Sequence, residues 1–144
     1  MNIKELSSAL RVSVSALHKR LRKQMYSVDT YSMTEVRVVG LLYKKGPLLP
    51  SELAELTKVK PQSISQILKK LGNRDLIKKS PSKEDGRKIN VSLTSQGEKM
   101  VEQTRYERDE WLTHAITNTL SKEEKKTLEE AIIILNKLAE AEEE

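Results

Sequence analysis

The sequence predicts a mainly α-helical fold that carries one small two-stranded β-ribbon. Three observations carry this. Most of the 144 residues lie in segments whose apolar positions recur every three or four residues, bounded by capping and breaking residues. One short stretch, Ser80–Thr94 (SPSKEDGRKINVSLT), changes period: nine residues of turn formers and charges precede an alternation that puts Ile89, Val91 and Leu93 on one side of a strand. Finally, the chain has one Trp, four Tyr and no Phe, so its core must be built from Leu, Ile and Val, a composition suited to packing between helices.

The elements follow in order. Residues 2–25 read as a helix with Ile3, Leu6, Leu10, Val14, Leu17 and Leu21 on one side and the basic cluster 19–23 at its C-terminal end, where cations favour the helix dipole. After a loop with Asp29, Ser32 and Glu35 have the spacing of a capping box, opening a helix to Lys45 with Val36, Val39, Leu42 and Tyr43 inward. Gly46-Pro47 stops it. Pro50 suits the first position of a short helix to Thr57, with Leu53, Ala54 and Leu56 inward.

Lys58-Val59-Lys60 leaves room only for a tight turn before Pro61 opens the next helix. There Ile64, Ile67, Leu68 and Leu71 form one apolar stripe, and Gly72-Asn73 is the predicted stop. Strands are predicted at about 76–80 and 88–93, joined by a turn at Pro81, Asp85 and Gly86. Thr94 caps a long helix to about Leu120, with Met100, Val101, Tyr106, Trp111, Leu112, Ala115 and Ile116 on its apolar side. Ser121 and Glu124 form another capping box for a last helix carrying Leu128, Ala131, Ile132, Leu135 and Leu138, followed by an acidic tail, 142–144.

Charge is unevenly placed. The net is +5, yet residues 1–93 hold 19 Lys and Arg against 8 Asp and Glu, a net of +11, whereas residues 94–144 carry a net of −6. Residues 58–88 alone hold ten basic and three acidic side chains. Such asymmetry points to a polyanionic partner, nucleic acid being the commonest, against the plainer alternative of an uneven surface. There is no cysteine, which excludes disulfides and thiolate metal sites, and no apolar run approaches the roughly 20 residues of a membrane helix. The first residues, MNIKELSSAL, lack the basic-then-apolar order of a secretory signal. A cytoplasmic protein without a membrane partner is expected.

Two helices joined by a three-residue turn, the second polar on its outer side, describe a helix-turn-helix, and a ribbon directly after it makes a winged helix. The outward residues Lys60, Gln62, Ser63, Ser65, Gln66, Lys69 and Lys70 then suit double-stranded DNA: amides and hydroxyls match donor and acceptor edges in the major groove, and lysines match phosphate. An ordinary solvated face is the alternative. At the wing tip Arg87 can reach a minor groove, and Asp85, two residues away, can accept from its guanidinium and hold it outward. Lys78, Lys79, Lys83 and Lys88 add phosphate neutralisation.

At this point the chain resembles the MarR family of transcription regulators. The resemblance rests on Asp85-Gly-Arg-Lys-Ile-Asn-Val-Ser-Leu-Thr-Ser-Gln-Gly97, which is similar to the family's wing pattern: Asp-x-Arg, a short apolar strand, then Leu-Thr-x-x-Gly. Leu53-Ala54 and Leu71 fit its helix-turn-helix core, and Lys58 stands where the family often has Gly. The resemblance spans the chain and implies a single MarR-type domain, 1–144. It would hold a DNA-binding lobe, 32–93, and a helical dimerisation lobe made of 1–25 and 94–144. It implies a homodimer whose first and last helices interlock. Ile3, Leu6, Leu10 and Leu17, with Leu128, Ile132, Ile133, Ile134 and Leu135, offer more apolar surface than a small lobe needs; a monomeric helical hairpin is the alternative. It also implies repression relieved by a small aromatic acid effector, bound in a pocket that Arg11, His18, Arg22, Tyr31, Arg37 and Tyr43 could line.

Rival classes find less support. The chain has two histidines, His18 and His114, with no triad spacing, P-loop or Gly-rich dinucleotide turn, so neither an enzyme nor a cofactor is expected. A metal-responsive regulator would need His and carboxylates gathered by folding. A winged helix used for protein contacts remains the other alternative, against which the basic wing argues.

Overall fold

The computed structural model describes residues 1–143; Glu144, the last residue of the acidic tail, lies outside the described residues. Six helices and a two-stranded antiparallel sheet follow in the order α1 (Ile3–Lys23), α2 (Met33–Lys45), α3 (Pro50–Thr57), α4 (Pro61–Asn73), β1 (Ile77–Pro81), β2 (Ile89–Leu93), α5 (Ser95–Thr119) and α6 (Lys122–Ala139). The chain divides into two compact units, Met1–Arg108 and the part from Asp109 onward, so the boundary falls within α5.

In the first unit α2 packs on α3 and β2, α3 on α4, and α4 on β1. The core is aliphatic, as composition dictates: Val38, Val39, Leu42, Leu53, Ile64, Leu68, Leu71 and Val91 are buried at its centre. β1 and β2 pair from Ile77 opposite Leu93 to Pro81 opposite Ile89. Leu48 adds a bridge to the sheet, its N–H donating to Val91 O at 3.0 Å and its carbonyl oxygen accepting from Val91 N at 2.8 Å. This anchors the loop before α3 to the wing.

Several expectations are corrected in detail. The first helix ends at Lys23, and a single 3₁₀ turn (Tyr26–Val28) follows because Met25 and Val28 turn into the core. On α2 the deepest residue is Val38, while Val36 is half-buried, since this helix has neighbours on two sides. On α3 Leu56 is exposed and Thr57 takes the inward place, its hydroxyl donating to Leu53 O at 2.7 Å. Gly72 and Asn73 lie within α4; the left-handed residue after it is Asp75 (φ 60), a residue type that tolerates this conformation. Tyr106 is exposed on α5, whose buried side is Gly97, Val101, Thr104 and Glu107.

Two residues of the Leu-Thr-x-x-Gly motif fix where β2 passes into α5. The Thr94 hydroxyl donates to Asp75 O and accepts from Gly97 N at 3.1 Å, capping the helix. A Cβ on Gly97 would stand 2.3 Å from Leu76 O, so only glycine allows this close approach.

The terminal helices differ from the core elements. Asn2 and Glu5 form a capping box that starts α1, and Ser121 and Glu124 form the one that starts α6. Neither helix contains a buried residue. No helix of the described residues is long and apolar enough to cross a membrane.

Candidate nucleic-acid interface

The turn between α3 and α4 is set by its backbone. Lys58 adopts the left-handed conformation (φ 55, ψ 37), and the Val59 N–H returns to Ala54 O at 3.1 Å, closing a Schellman-type stop. Lys60 is extended, and Pro61 begins α4 without needing a helical partner for its nitrogen. Because Ile64, Leu68 and Leu71 are drawn into the core, Gln62, Ser63, Ser65, Gln66 and Lys69 are all exposed on the rest of the helix surface, together with Lys60 at its start. Lys70 is the exception among the predicted contacts: its Nζ donates to Glu35 Oε1 of α2 at 3.1 Å.

The wing tip is a closed turn. Ser82 N donates to Lys88 O at 2.8 Å and Lys88 N to Asp85 O at 2.9 Å. Asp85 receives Arg87 three times: the backbone N–H at 3.1 Å, Nε at 3.2 Å on the same oxygen, and Nη2 at 3.3 Å on the other oxygen. These bonds, the side-chain pair first and the backbone bond second, lower the Asp85 carboxyl below its ordinary value. Protonation would therefore release the clamp only at a lower pH than that at which an unpaired aspartate protonates. The fork leaves the arginine side chain 92% exposed, pointing away from the body. Lys78, Lys79, Lys83 and Lys88 are exposed along the same ribbon.

The first unit also contains a cavity of about 630 Å³. Its walls are apolar, from Leu21, Met25, Met33, Val36, Val39, Leu41, Met100 and Val101, and its polar groups are cationic or neutral: His18, Arg22, Arg37, Lys44, Arg108 and Thr104. No carboxylate lines it. Three of the six residues predicted for a pocket, His18, Arg22 and Arg37, are here. The other three are elsewhere. Arg11 is exposed on α1, Tyr31 lies under the Arg74 guanidinium at 4.9 Å, and Tyr43 under that of Arg105 at 4.6 Å. A tyrosine ring close to the α2 boundary is thus taken up by cation–π contacts. The missed lining residues Met33, Val36, Gly40, Leu41 and Lys44 recur with Arg37 at helical spacing, a second stripe on α2.

His18 borders this cavity, while His114 pairs with Glu110 one turn away on α5 at 3.3 Å. Among the described residues no group of three or more His, Asp or Glu is placed to hold a metal.

A tight helix–turn–helix with a polar exposed second helix, followed by a basic ribbon tied to the same core, is a winged helix-turn-helix. The MarR family pattern matches residues 31–89, from just before α2 to the start of β2. The chain is 30% identical over 109 residues to the HTH-type transcriptional regulator YfiV of Bacillus subtilis, covering 76% of this chain and 68% of that protein. It is 31% identical over 97 residues to the HTH-type transcriptional repressor MdtR of the same organism, covering 65% of this chain and 63% of MdtR. The crystal structure of a transcriptional regulator from Pseudomonas aeruginosa superposes with a TM-score of 0.84 at 29% identity, over 96% of each chain. The chain belongs to the MarR family, and it is a transcriptional regulator of that family.

Proposed function

We propose that the protein is a repressor that binds double-stranded DNA as a homodimer, on a roughly palindromic operator, and leaves it when the cavity takes up an anionic ligand. One observation carries the DNA reading: an exposed row of amides, hydroxyls and lysine on α4 stands beside a ribbon whose tip holds an arginine outward on a carboxylate fork. Gln62, Ser63, Ser65 and Gln66 read base edges in the major groove; Arg87 enters the neighbouring minor groove; Lys60, Lys69, Lys78, Lys79, Lys83 and Lys88 neutralise phosphates. Two copies place their α4 helices about 34 Å apart, one helical turn of the duplex. Ile3, Leu6, Leu10 and Leu17 of α1, and Leu128, Ile132 and Leu135 of α6, supply the surface that a second copy covers. In this proposal the DNA-binding lobe spans 32–93, the dimerisation lobe is made of 1–25 and 94–144, and the protein works in the cytoplasm.

The kinship with a repressor supports the direction of regulation. The cavity's apolar walls and its cationic rim support an effector such as a small aromatic acid, whose ring is buried while its carboxylate meets arginine.

A mobility shift on duplex DNA across a salt series tests this reading. Retardation at low salt that weakens steeply as salt rises is expected, because bound lysines displace counterions. Arg87→Ala should lower operator affinity roughly tenfold, within the range of a single groove contact, and leave the melting temperature unchanged. Gln66→Ala should relax base preference more than it lowers affinity for random DNA. A chain that retards no duplex at any salt contradicts the proposal.

A further inference from the structure

Glu35 occupies the third position of α2, and its N–H donates to the Ser32 hydroxyl at 3.1 Å, yet its carboxylate does not complete the capping box. It turns inward instead. The residue is only 5% exposed, Oε1 accepts from Lys70 Nζ at 3.1 Å, and the buried Oε2 has no hydrogen-bond partner among the described residues. A carboxylate that gives up both its local cap bond and most of its water for one lysine is costly, so the pair is weak evidence for stability. Its geometric effect is definite: it joins the start of α2 to the last turn of α4.

A second contact repeats the connection. Arg74, one turn beyond Lys70, places its guanidinium 4.9 Å over the Tyr31 ring and donates to Thr30 Oγ1 at 3.5 Å. Both cations at the C-terminal end of α4 thus return to residues 30–35.

We propose that Glu35 is a positioning residue for the DNA-reading helix: by holding Lys70, alongside the Arg74–Tyr31 contact, it fixes the end of α4 against α2 and withdraws Lys70 from the phosphate-binding set. The inference rests on the DNA-binding reading above. It separates two lysines adjacent in sequence. Lys69 is exposed with no ion pair among the described residues and acts on phosphate; Lys70 acts through Glu35.

The salt dependence of DNA binding distinguishes the two roles, because only a lost phosphate contact changes its slope. Lys69→Met should reduce the slope of log affinity against log salt by about one and weaken operator and random DNA alike. Lys70→Met should leave the slope unchanged and lower the operator-to-random affinity ratio, by roughly tenfold for a misplaced reading helix. Glu35→Gln keeps the side-chain shape, frees Lys70 and should raise affinity for random DNA while lowering the same ratio. If Lys70→Met alone fails to fold because Glu35 is left buried without a partner, the double variant Glu35→Gln/Lys70→Met carries the test, with a wild-type slope expected. A measurement without DNA completes it: the urea midpoints of the two single variants and the double should be non-additive. Wild-type binding combined with a slope reduced by about one in Lys70→Met or the double variant overturns the positioning role alone, as do additive midpoints. Failure of the wild-type chain to bind any duplex overturns the DNA reading beneath it.

Discussion

Helices α4 and α1 are both amphipathic, but only one of them finishes its burial inside this chain. α4 has 13 residues and sinks Ile64, Leu68 and Leu71 to 2% exposure or less. α1 has 21 residues and buries none; Leu17, in its apolar row, is 48% exposed. The same contrast separates α6, where Ile132 is 49% exposed, from the core helices. A wide apolar face left in water is unfavourable by about 25 cal/mol for each Å² that a partner could cover. The difference teaches that the winged lobe completes its core within this chain, whereas the apolar faces of the terminal helices lack a cover among the described residues. In the proposed homodimer that cover is a second copy.

Substitutions on the two sides should therefore fail differently. The largest effect is expected from Ile132→Asp. A charge placed in a buried apolar interface costs several kcal/mol, so the dimer should dissociate and operator affinity should fall roughly 100-fold or more, one half-site being lost. Size-exclusion chromatography with light scattering, paired with a mobility shift, checks both; an intact dimer with unchanged binding would remove α6 from the interface. Leu71→Ala, by contrast, should lower unfolding free energy by about 3 kcal/mol through cavity formation, without changing oligomeric state. Urea denaturation at two protein concentrations separates these effects, because only interface variants change their concentration dependence. The smallest effect is at the turn. Lys58 holds a left-handed backbone that costs a side-chain-bearing residue about 1 kcal/mol. Glycine removes this cost while adding chain entropy, so Lys58→Gly should stabilise by about 0.5 kcal/mol. A clear loss of stability there would mean that the lysine side chain makes contacts that matter.

Much of the winged lobe was legible in sequence because its signals are local. Pro50, Pro61, the Ser32 and Thr94 caps and the alternation after Gly86 each act within a few residues. The Asp85–Arg87 fork could be read from a spacing of two. What escaped is tertiary. Glu35 satisfies a capping-box pattern, yet its carboxylate is drawn to a lysine 35 residues away, which no local rule encodes. Glu107 is similar: a charged residue on α5, it is 2% exposed because both its oxygens accept from Ser27 N, at 3.2 and 3.3 Å. The cavity was half-legible. His18, Arg22 and Arg37 are legible as polar candidates, but Met25 and Met33 carry no pocket signal, Met100 reads as part of the apolar side of α5, and Tyr31 and Tyr43 are taken up by arginines instead. Leu48, between two predicted helices, bridges to the sheet through its backbone, a pairing that no local pattern encodes.

The central claim is that two copies join and thereby hold two α4 helices at the spacing of one DNA turn. Sedimentation equilibrium of the purified chain, alone and with a duplex carrying its operator, tests this most directly. A particle of twice the 16.4 kDa chain mass is expected for the protein alone, and that mass plus one duplex when the operator is present. A single chain free in solution that binds the duplex one copy at a time, with no preference for a paired half-site, would contradict it.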